Sequence, residues 1–216
     1  YTILFDLDGT LVDTAPDLMA AHNHVMKKFG YEQKKLSDIR ALAGKGAWVW
    51  MKKSLKEEVK DENIKKKMTK EFIDFYAKNI DRESKPLDGT IKFLDWAKNK
   101  NISMAVCTNK QEYLAKDLLK KLNMINYFEY VAGHDTLPFC KPDPRHLTDV
   151  VKIIGGDLKK TIMVGDSEVD AMSAHNAKIP FVLVKNGYTE KSEKEIKHDK
   201  LISNFINFEK IIEKFL

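Results

Sequence analysis

Apolar and polar positions along this chain follow two rhythms. The first residues run Ile3-Leu4-Phe5, three large apolar side chains in succession, which predicts a strand buried on both faces. After Thr10 the rhythm becomes helical: Leu18, Ala21, Val25 and Phe29 recur every three or four residues, with Asp13 and Thr14 as candidate caps, Pro16 in the first turn and Gly30 at the end. A further helix is predicted over 37–43, broken at Gly44-Lys45-Gly46 and resumed over 47–55. A long amphipathic helix follows, with Ile64, Met68, Phe72 and Phe75 on its apolar stripe and the Lys65-Lys66-Lys67 run on a solvated face. No strand is predicted from Ala15 to Lys85.

Pro86-Leu87-Asp88-Gly89 marks a change of pattern, because short apolar runs then alternate with amphipathic stretches. Strands are predicted at 102–107, 130–132, 161–164 and 181–184, with a short one near Leu201-Ile202, and helices lie between them and at the end of the chain. This alternation predicts an α/β fold, a Rossmann-like doubly wound parallel sheet with helices on both faces. Residues 1–13 and 86–216 form the predicted core, and 14–85 an inserted all-helical cap.

Composition narrows the class. A 43% hydrophobic content supports a packed core, and 37 basic residues scattered among 32 acidic ones give a net charge of +5 that reads as solubility rather than nucleic-acid binding. Cys107 and Cys140 are too few for a disulfide framework and too isolated for zinc, so reduced thiols in the cytoplasm are expected. No apolar run approaches a membrane span and the first residues lack signal-peptide zones; since the chain starts at Tyr1 rather than methionine, a few preceding residues are expected.

The chemistry collects where strands end, which in such sheets is where ligands bind. Asp6 and Asp8 follow the first strand at i, i+2, and Gly9 lets the backbone turn closely around what they address. A surface turn is the bland reading, and an EF-hand loop fits poorly because the glycine is misplaced. Thr108-Asn109 follows the second strand, Gly165-Asp166 the 161–164 strand with Asp170 four residues on, and Lys141 precedes Pro142 in a loop expected to expose it. Asp6, Asp166 and Asp170 are hard oxygen ligands suited to Mg²⁺, while Thr108, Asn109 and Lys141 are donors suited to phosphate oxygens. Carboxylate, metal and lysine together imply phosphoryl transfer through an aspartyl-phosphate.

Four motifs carry a resemblance: Asp6-Leu7-Asp8-Gly9-Thr10, Thr108-Asn109, Lys141-Pro142-Asp143-Pro144 and Gly165-Asp166-Ser167-Glu168-Val169-Asp170. Their order and content resemble the haloacid dehalogenase superfamily of phosphohydrolases. That resemblance implies Asp6 as nucleophile, Asp8 as the acid/base, Thr108 and Lys141 as phosphate-binding groups, and Asp6, the Asp8 carbonyl and Asp166 as Mg²⁺ ligands with Asp170 in or just behind that shell. The superfamily's dehalogenases lack the second aspartate, so Asp8 indicates a phosphatase.

Within the superfamily, Leu11-Val12-Asp13-Thr14-Ala15-Pro16-Asp17-Leu18, the Gly44-Lys45-Gly46 loop and Gly133-His134-Asp135-Thr136-Leu137-Pro138 resemble phosphoglycolate phosphatases, although His134 stands where a glycine is expected. The implied partner is a small phosphorylated metabolite, with neither nucleic acid nor membrane, for a monomer or weak homodimer. Gly44, Lys45 and Gly46 are expected either to meet the substrate, with Lys45 facing a second anionic group such as a carboxylate, or only to break two helices with Lys45 in solvent. A pyrophosphatase or a sugar phosphomutase would use the same core, and a non-catalytic phosphate-binding protein the same scaffold. All six histidines are expected to be neutral surface or loop residues, Trp48 and Trp50 either to line a substrate pocket or to pack within the cap's own core, and Cys107 to be a small buried residue.

Overall fold

The computed structural model describes residues 1–44, 46–55 and 60–215, so Lys45 lies outside the described residues. The first apolar run forms β1 (Thr2–Phe5), completely buried, and stops before Asp6. The other predicted strands appear as β4 (Ser103–Cys107), β5 (Tyr130–Ala132), β6 (Thr161–Gly165), β7 (Phe181–Val184) and β8 (Lys200–Ile202). All pair in parallel, in the order β5-β4-β1-β6-β7-β8. β1 is thus central, Phe5 lies between Val106 and Val164, and the ends of β1, β4 and β6 meet at the same edge.

Alternation along β1 sends Ile3 and Phe5 to one face and Leu4 to the other, and each face has its own apolar layer. Helices α5 (Thr90–Asn99) and α6 (Glu112–Lys121) pack on the Ile3 and Phe5 side, joined by the short α9 (Glu209–Ile212). The Leu4 face is covered by α7 (Arg145–Ile153) and α8 (Glu168–Asn176) through Leu147, Val150, Ala171 and Ala174.

Between β1 and α5 the helices are α1 (Ala15–Phe29), α2 (Ile39–Leu42), α3 (Ala47–Leu55) and α4 (Glu62–Lys78). Gly30 ends α1 with φ 79°, the left-handed conformation a helix terminus asks of glycine. The α4 stripe buries Met68 and Phe72, but Ile64 is exposed near the start of that helix. The expectation of no strand before residue 86 needs one amendment, because Lys85–Pro86 (β3) pairs antiparallel with Val12–Asp13 (β2). This ribbon ties the outgoing and returning chains together, and two-residue strands are too short to show a period in sequence. Asp17 closes the same junction by accepting from the Glu83 and Ser84 N–H groups and the Ser84 hydroxyl at 2.7–3.0 Å. No helix among the described residues is long and apolar enough to cross a membrane.

Candidate active site

A single network joins the residues that the sequence scatters over four segments. β1 delivers Asp6, 8% exposed, to the carboxyl edge of the sheet. β6 delivers Asp166, and the first turn of α8 delivers Asp170. One carboxylate oxygen from each of Asp6, Asp166 and Asp170 lies within 4.8 Å of the others, the geometry of a divalent-cation cradle. Burial pushes the Asp6 carboxyl up to about 6 despite the opposing pull of Lys141, and burial likewise raises Asp166 well above the usual carboxylate range. Packed carboxylates that resist ionising are what a bound cation would relieve, so these residues fit Mg²⁺ in donor chemistry and in charge.

Lys141 overturns one sequence expectation. It is 3% exposed rather than solvated, with Nζ 2.8 Å from Asp6 Oδ1 and 2.6 Å from Asp170 Oδ1. The two carboxylates supply the countercharge that makes burial of an ammonium tolerable. Asp170 is fully committed: Oδ1 accepts from Lys141, while Oδ2 accepts from the Asp166 and Ser167 N–H groups and the Ser167 hydroxyl. It acts as a clamp between Lys141 and the Asp166 loop.

Asp166 sits in a space made by glycine. A Cβ on Gly9, whose φ is 77°, would lie 2.4 Å from Asp166 Oδ2, and one on Gly187 would lie 2.2 Å from the Asp166 carbonyl oxygen. Thr10 Oγ and the Tyr188 N–H donate to the Asp166 carboxylate at 3.2 and 2.6 Å. The Tyr188 hydroxyl donates to Asp13 and accepts from the N–H groups of Thr14 and Ala15, linking the Asp166 side of the site to the start of the insert. Sequence reading overlooked Tyr188, because its contact with Asp13 spans 175 residues.

Since β1 ends at Phe5, the loop rather than an extended strand places Asp8. Its carboxylate lies outside the three-carboxylate cluster, and its Oδ1 accepts from Thr14 Oγ at 2.7 Å and Lys110 Nζ at 2.6 Å. Thr14 therefore spends its hydroxyl on Asp8 instead of capping α1. Lys110, two residues past Thr108, also escaped the sequence reading; a buried lysine one residue beyond a motif carries no signal until its distant partner is known. Thr108 is buried and its Oγ accepts from the Lys110 N–H. Asn109 Nδ2 donates to the carbonyls of Lys141 and Gly44 at 2.9 and 3.2 Å, so its amide donors bind backbone rather than standing free for a phosphate.

These groups line a cavity of about 800 Å³ between the sheet edge and the helical insert. From the insert come Gly44, Gly46, Trp48, Trp50, Phe72 and Tyr76. Trp50 is both cavity wall and part of the insert's own packing, 5.4 Å from the Phe72 ring. Exposed His134 stands at the rim. Two other histidines depart from expectation: His22 and His146 are fully buried. His22 Nε2 pairs with Ser54 Oγ at 2.6 Å, His146 Nδ1 with the Phe139 carbonyl at 2.8 Å, and burial lowers the pKa of both. Cys107 is buried as expected, its thiol pushed up to about 12 by desolvation.

Comparison with known proteins extends the likeness over nearly the whole chain. A phosphoglycolate phosphatase of Agrobacterium fabrum is 39% identical over 98% of this chain and 94% of its own length. One of Caulobacter vibrioides is 37% identical over 97% and 89%. The crystal structure of a predicted phosphoglycolate phosphatase from Haemophilus somnus superposes with a TM-score of 0.92 at 27% identity, covering 98% of this chain and 97% of that one. The family model of haloacid dehalogenase-like hydrolases matches residues 3–184, a span that includes all four motifs and the network just described, and the chain belongs to that family, as a phosphomonoesterase of the phosphoglycolate phosphatase-like kind.

Proposed function

We propose that this chain is a Mg²⁺-dependent phosphatase acting through an aspartyl-phosphate on Asp6, with 2-phosphoglycolate as substrate. The observation that carries the reading is Asp6 itself, held at the end of β1 by Lys141 and gathered with Asp166 and Asp170 at the floor of the cavity. Asp6, Asp166 and the Asp8 carbonyl would hold the metal, with Asp170 behind them, where its two oxygens bind the Lys141 ammonium and the Ser167 hydroxyl. When bound, Mg²⁺ supplies charge neutralisation for the transferring phosphoryl group.

In the proposed reaction an Asp6 carboxylate oxygen attacks phosphorus as the bond from phosphorus to the leaving oxygen breaks, and Asp8 gives its proton to that oxygen. Asp8 then takes a proton from a water whose oxygen attacks the same phosphorus, which breaks the Asp6 ester, frees inorganic phosphate and restores both carboxyl groups. Lys141 and the Thr108 hydroxyl offset the negative charge on the phosphoryl oxygens. Thr14 keeps Asp8 turned toward this position.

Residues 14–85 serve as a cap in this reading and Gly44-Lys45-Gly46 as its substrate-facing loop, supported by Gly44 and Gly46 lining the cavity and by the Asn109 bond to the Gly44 carbonyl. The reading places the protein in the cytoplasm as a monomer or weak homodimer. The test is a panel of phosphorylated metabolites assayed with Mg²⁺, with EDTA and after Mg²⁺ is restored. Preference for 2-phosphoglycolate and metal-reversible loss are expected; turnover that survives EDTA, or a phosphoglycolate rate no better than that of an aryl phosphate, would defeat the proposal.

A further inference from the structure

Lys110 is a cation for which the phosphoryl-transfer steps above have no use. It is 9% exposed, yet its ammonium makes a single hydrogen bond among the described residues, to Asp8 Oδ1 at 2.6 Å. It otherwise lies over the Tyr76 ring, 4.7 Å from the centroid. An ammonium has three N–H donors, so donor capacity is left over in a place where solvent scarcely reaches. Lys141, the other lysine among the described cavity-lining residues, differs in being held between two carboxylates.

The surroundings of Lys110 repeat this surplus. Tyr76 and Trp50 come from the insert and line the same cavity, and both the Tyr76 hydroxyl and Trp50 Nε1 are buried with no hydrogen-bond partner. A buried polar group left unpaired costs stability, so native proteins keep few of them. Here the unspent donors belong to two cavity-lining residues on α4 and α3, and the ring of one of them, Tyr76, lies under the Lys110 ammonium.

We propose that Lys110, with Tyr76 and Trp50, forms the subsite for a carboxylate carried by the leaving alcohol, and that Lys110 is the residue that sets specificity for such substrates. The inference rests on the reading of Asp8 as the proton donor to the leaving oxygen. A donor to that oxygen must approach it within hydrogen-bonding distance, and Lys110 Nζ is itself one hydrogen bond from Asp8. The ammonium therefore stands beside the leaving group. In 2-phosphoglycolate the carboxylate is one methylene beyond the leaving oxygen, within reach of Lys110. A neutral alkyl or aryl leaving group would leave these donors unfilled, which is how a site built to bond a polar substrate rejects an apolar one.

Two non-hydrolysable ligands of nearly equal shape provide the test: 3-phosphonopropionate, which carries the carboxylate, and propylphosphonate, which lacks it. Their inhibition constants are measured against hydrolysis of p-nitrophenyl phosphate. The wild-type protein is expected to prefer 3-phosphonopropionate by at least about tenfold, the worth of one charged hydrogen bond. In Lys110→Met the ratio should collapse toward one, and Lys110→Arg should restore part of it. Tyr76→Phe, a smaller change that keeps the ring under the ammonium, should lower the ratio about threefold and tests the same subsite if Lys110→Met folds poorly.

A wild-type preference that persists in Lys110→Met would overturn the proposal, even if both ligands bound more weakly, because Lys110 would then only position Asp8. A wild-type protein with no preference for the carboxylate would overturn the substrate reading and this proposal together. The two failures are thus distinguishable.

Discussion

At the carboxyl edge of the sheet the charged groups are bonded to one another and the unpaired buried atoms lining the cavity are acceptors, the amide oxygens of Asn109 and Gln111, whereas on the helical side the unpaired buried groups among the described residues are donors. Asp6, Lys141, Asp170 and Ser167 form one chain of contacts, and Thr10 with the Tyr188 N–H fixes Asp166. Across the cavity Trp50 and Tyr76 form an aromatic wall with Phe72, and the Trp50 Nε1 and Tyr76 hydroxyl are left over. The difference divides the labour. In the proposed reading, the groups that would act on a fixed phosphoryl geometry are held in advance, because electrostatic stabilisation works best when nothing must reorganise. Groups that meet the variable part of a substrate keep their bonding capacity in reserve.

The largest effect expected from breaking the sheet side is that of Asp6→Asn. An amide cannot replace the carboxylate as nucleophile and is a poorer metal ligand, so turnover should fall by at least about three powers of ten, roughly 1.4 kcal/mol each. Stability should not fall with it. The folded state raises the Asp6 pKa from 3.8 to about 6, which means that ionised Asp6 costs stability as pH rises through that window, and at pH 7 the uncharged amide avoids the cost. Steady-state rates and metal-free melting curves check both halves. More than a few per cent residual activity in contaminant-free protein would exclude covalent chemistry on Asp6.

Lys141→Ala comes next, with activity and stability moving together. Turnover should drop about a hundredfold through loss of phosphate stabilisation. An exposed lysine would leave the melting temperature unchanged, but this one is wedged between Asp6 and Asp170, and removing one partner of a buried ion pair costs about 3–5 kcal/mol. At roughly 2–4 °C per kcal/mol for a domain of this size, a fall on the order of ten degrees is expected by calorimetry. An unshifted melting temperature would show that the pair contributes nothing to the fold.

How legible each side was in the sequence follows from the range of its interactions. Strands such as 130–132 and 181–184 were readable because continuous apolar runs need only local information. The motif carboxylates were readable because a strand end followed by acid and glycine is itself a chemical statement. Burial of Lys141 was not, since the carboxylates that permit it come from β1 and α8. Lys110 and Tyr188 stayed hidden for the same reason, finding their partners 102 and 175 residues away. The β2–β3 ribbon is too short to have a period. In the insert, helical spacing located Trp50 on a helix without showing which polar atoms would lack partners.

The smallest expected effect concerns the insert alone and depends on pH. His22 projects from α1 into its core, Nε2 bonded to Ser54 of α3 and Nδ1 to the Asn23 side chain. Burial lowers its pKa below 6.5; Lys34 lowers it further, while Asn23 and Asp38 act in the opposite sense. Because the folded value lies below the unfolded one, protonation favours the unfolded chain. His22 therefore costs no stability above about pH 6.5, and stability declines as pH falls from there toward the folded value. His146 and His175, outside the insert, shift in the same direction, so the wild-type curve contains all three contributions and a variant is needed to separate them. His22→Gln keeps a side chain that can bond Ser54 but cannot gain a charge in this range. Its melting temperature should fall less than that of the wild type between pH 7 and pH 5, by a few degrees, while Asp6-dependent turnover at pH 7 stays within about twofold because His22 touches none of the cavity's charged groups. Parallel melting curves for the two proteins would mean that the insert tolerates the imidazolium, and the acid sensitivity would then belong to the sheet side of the molecule.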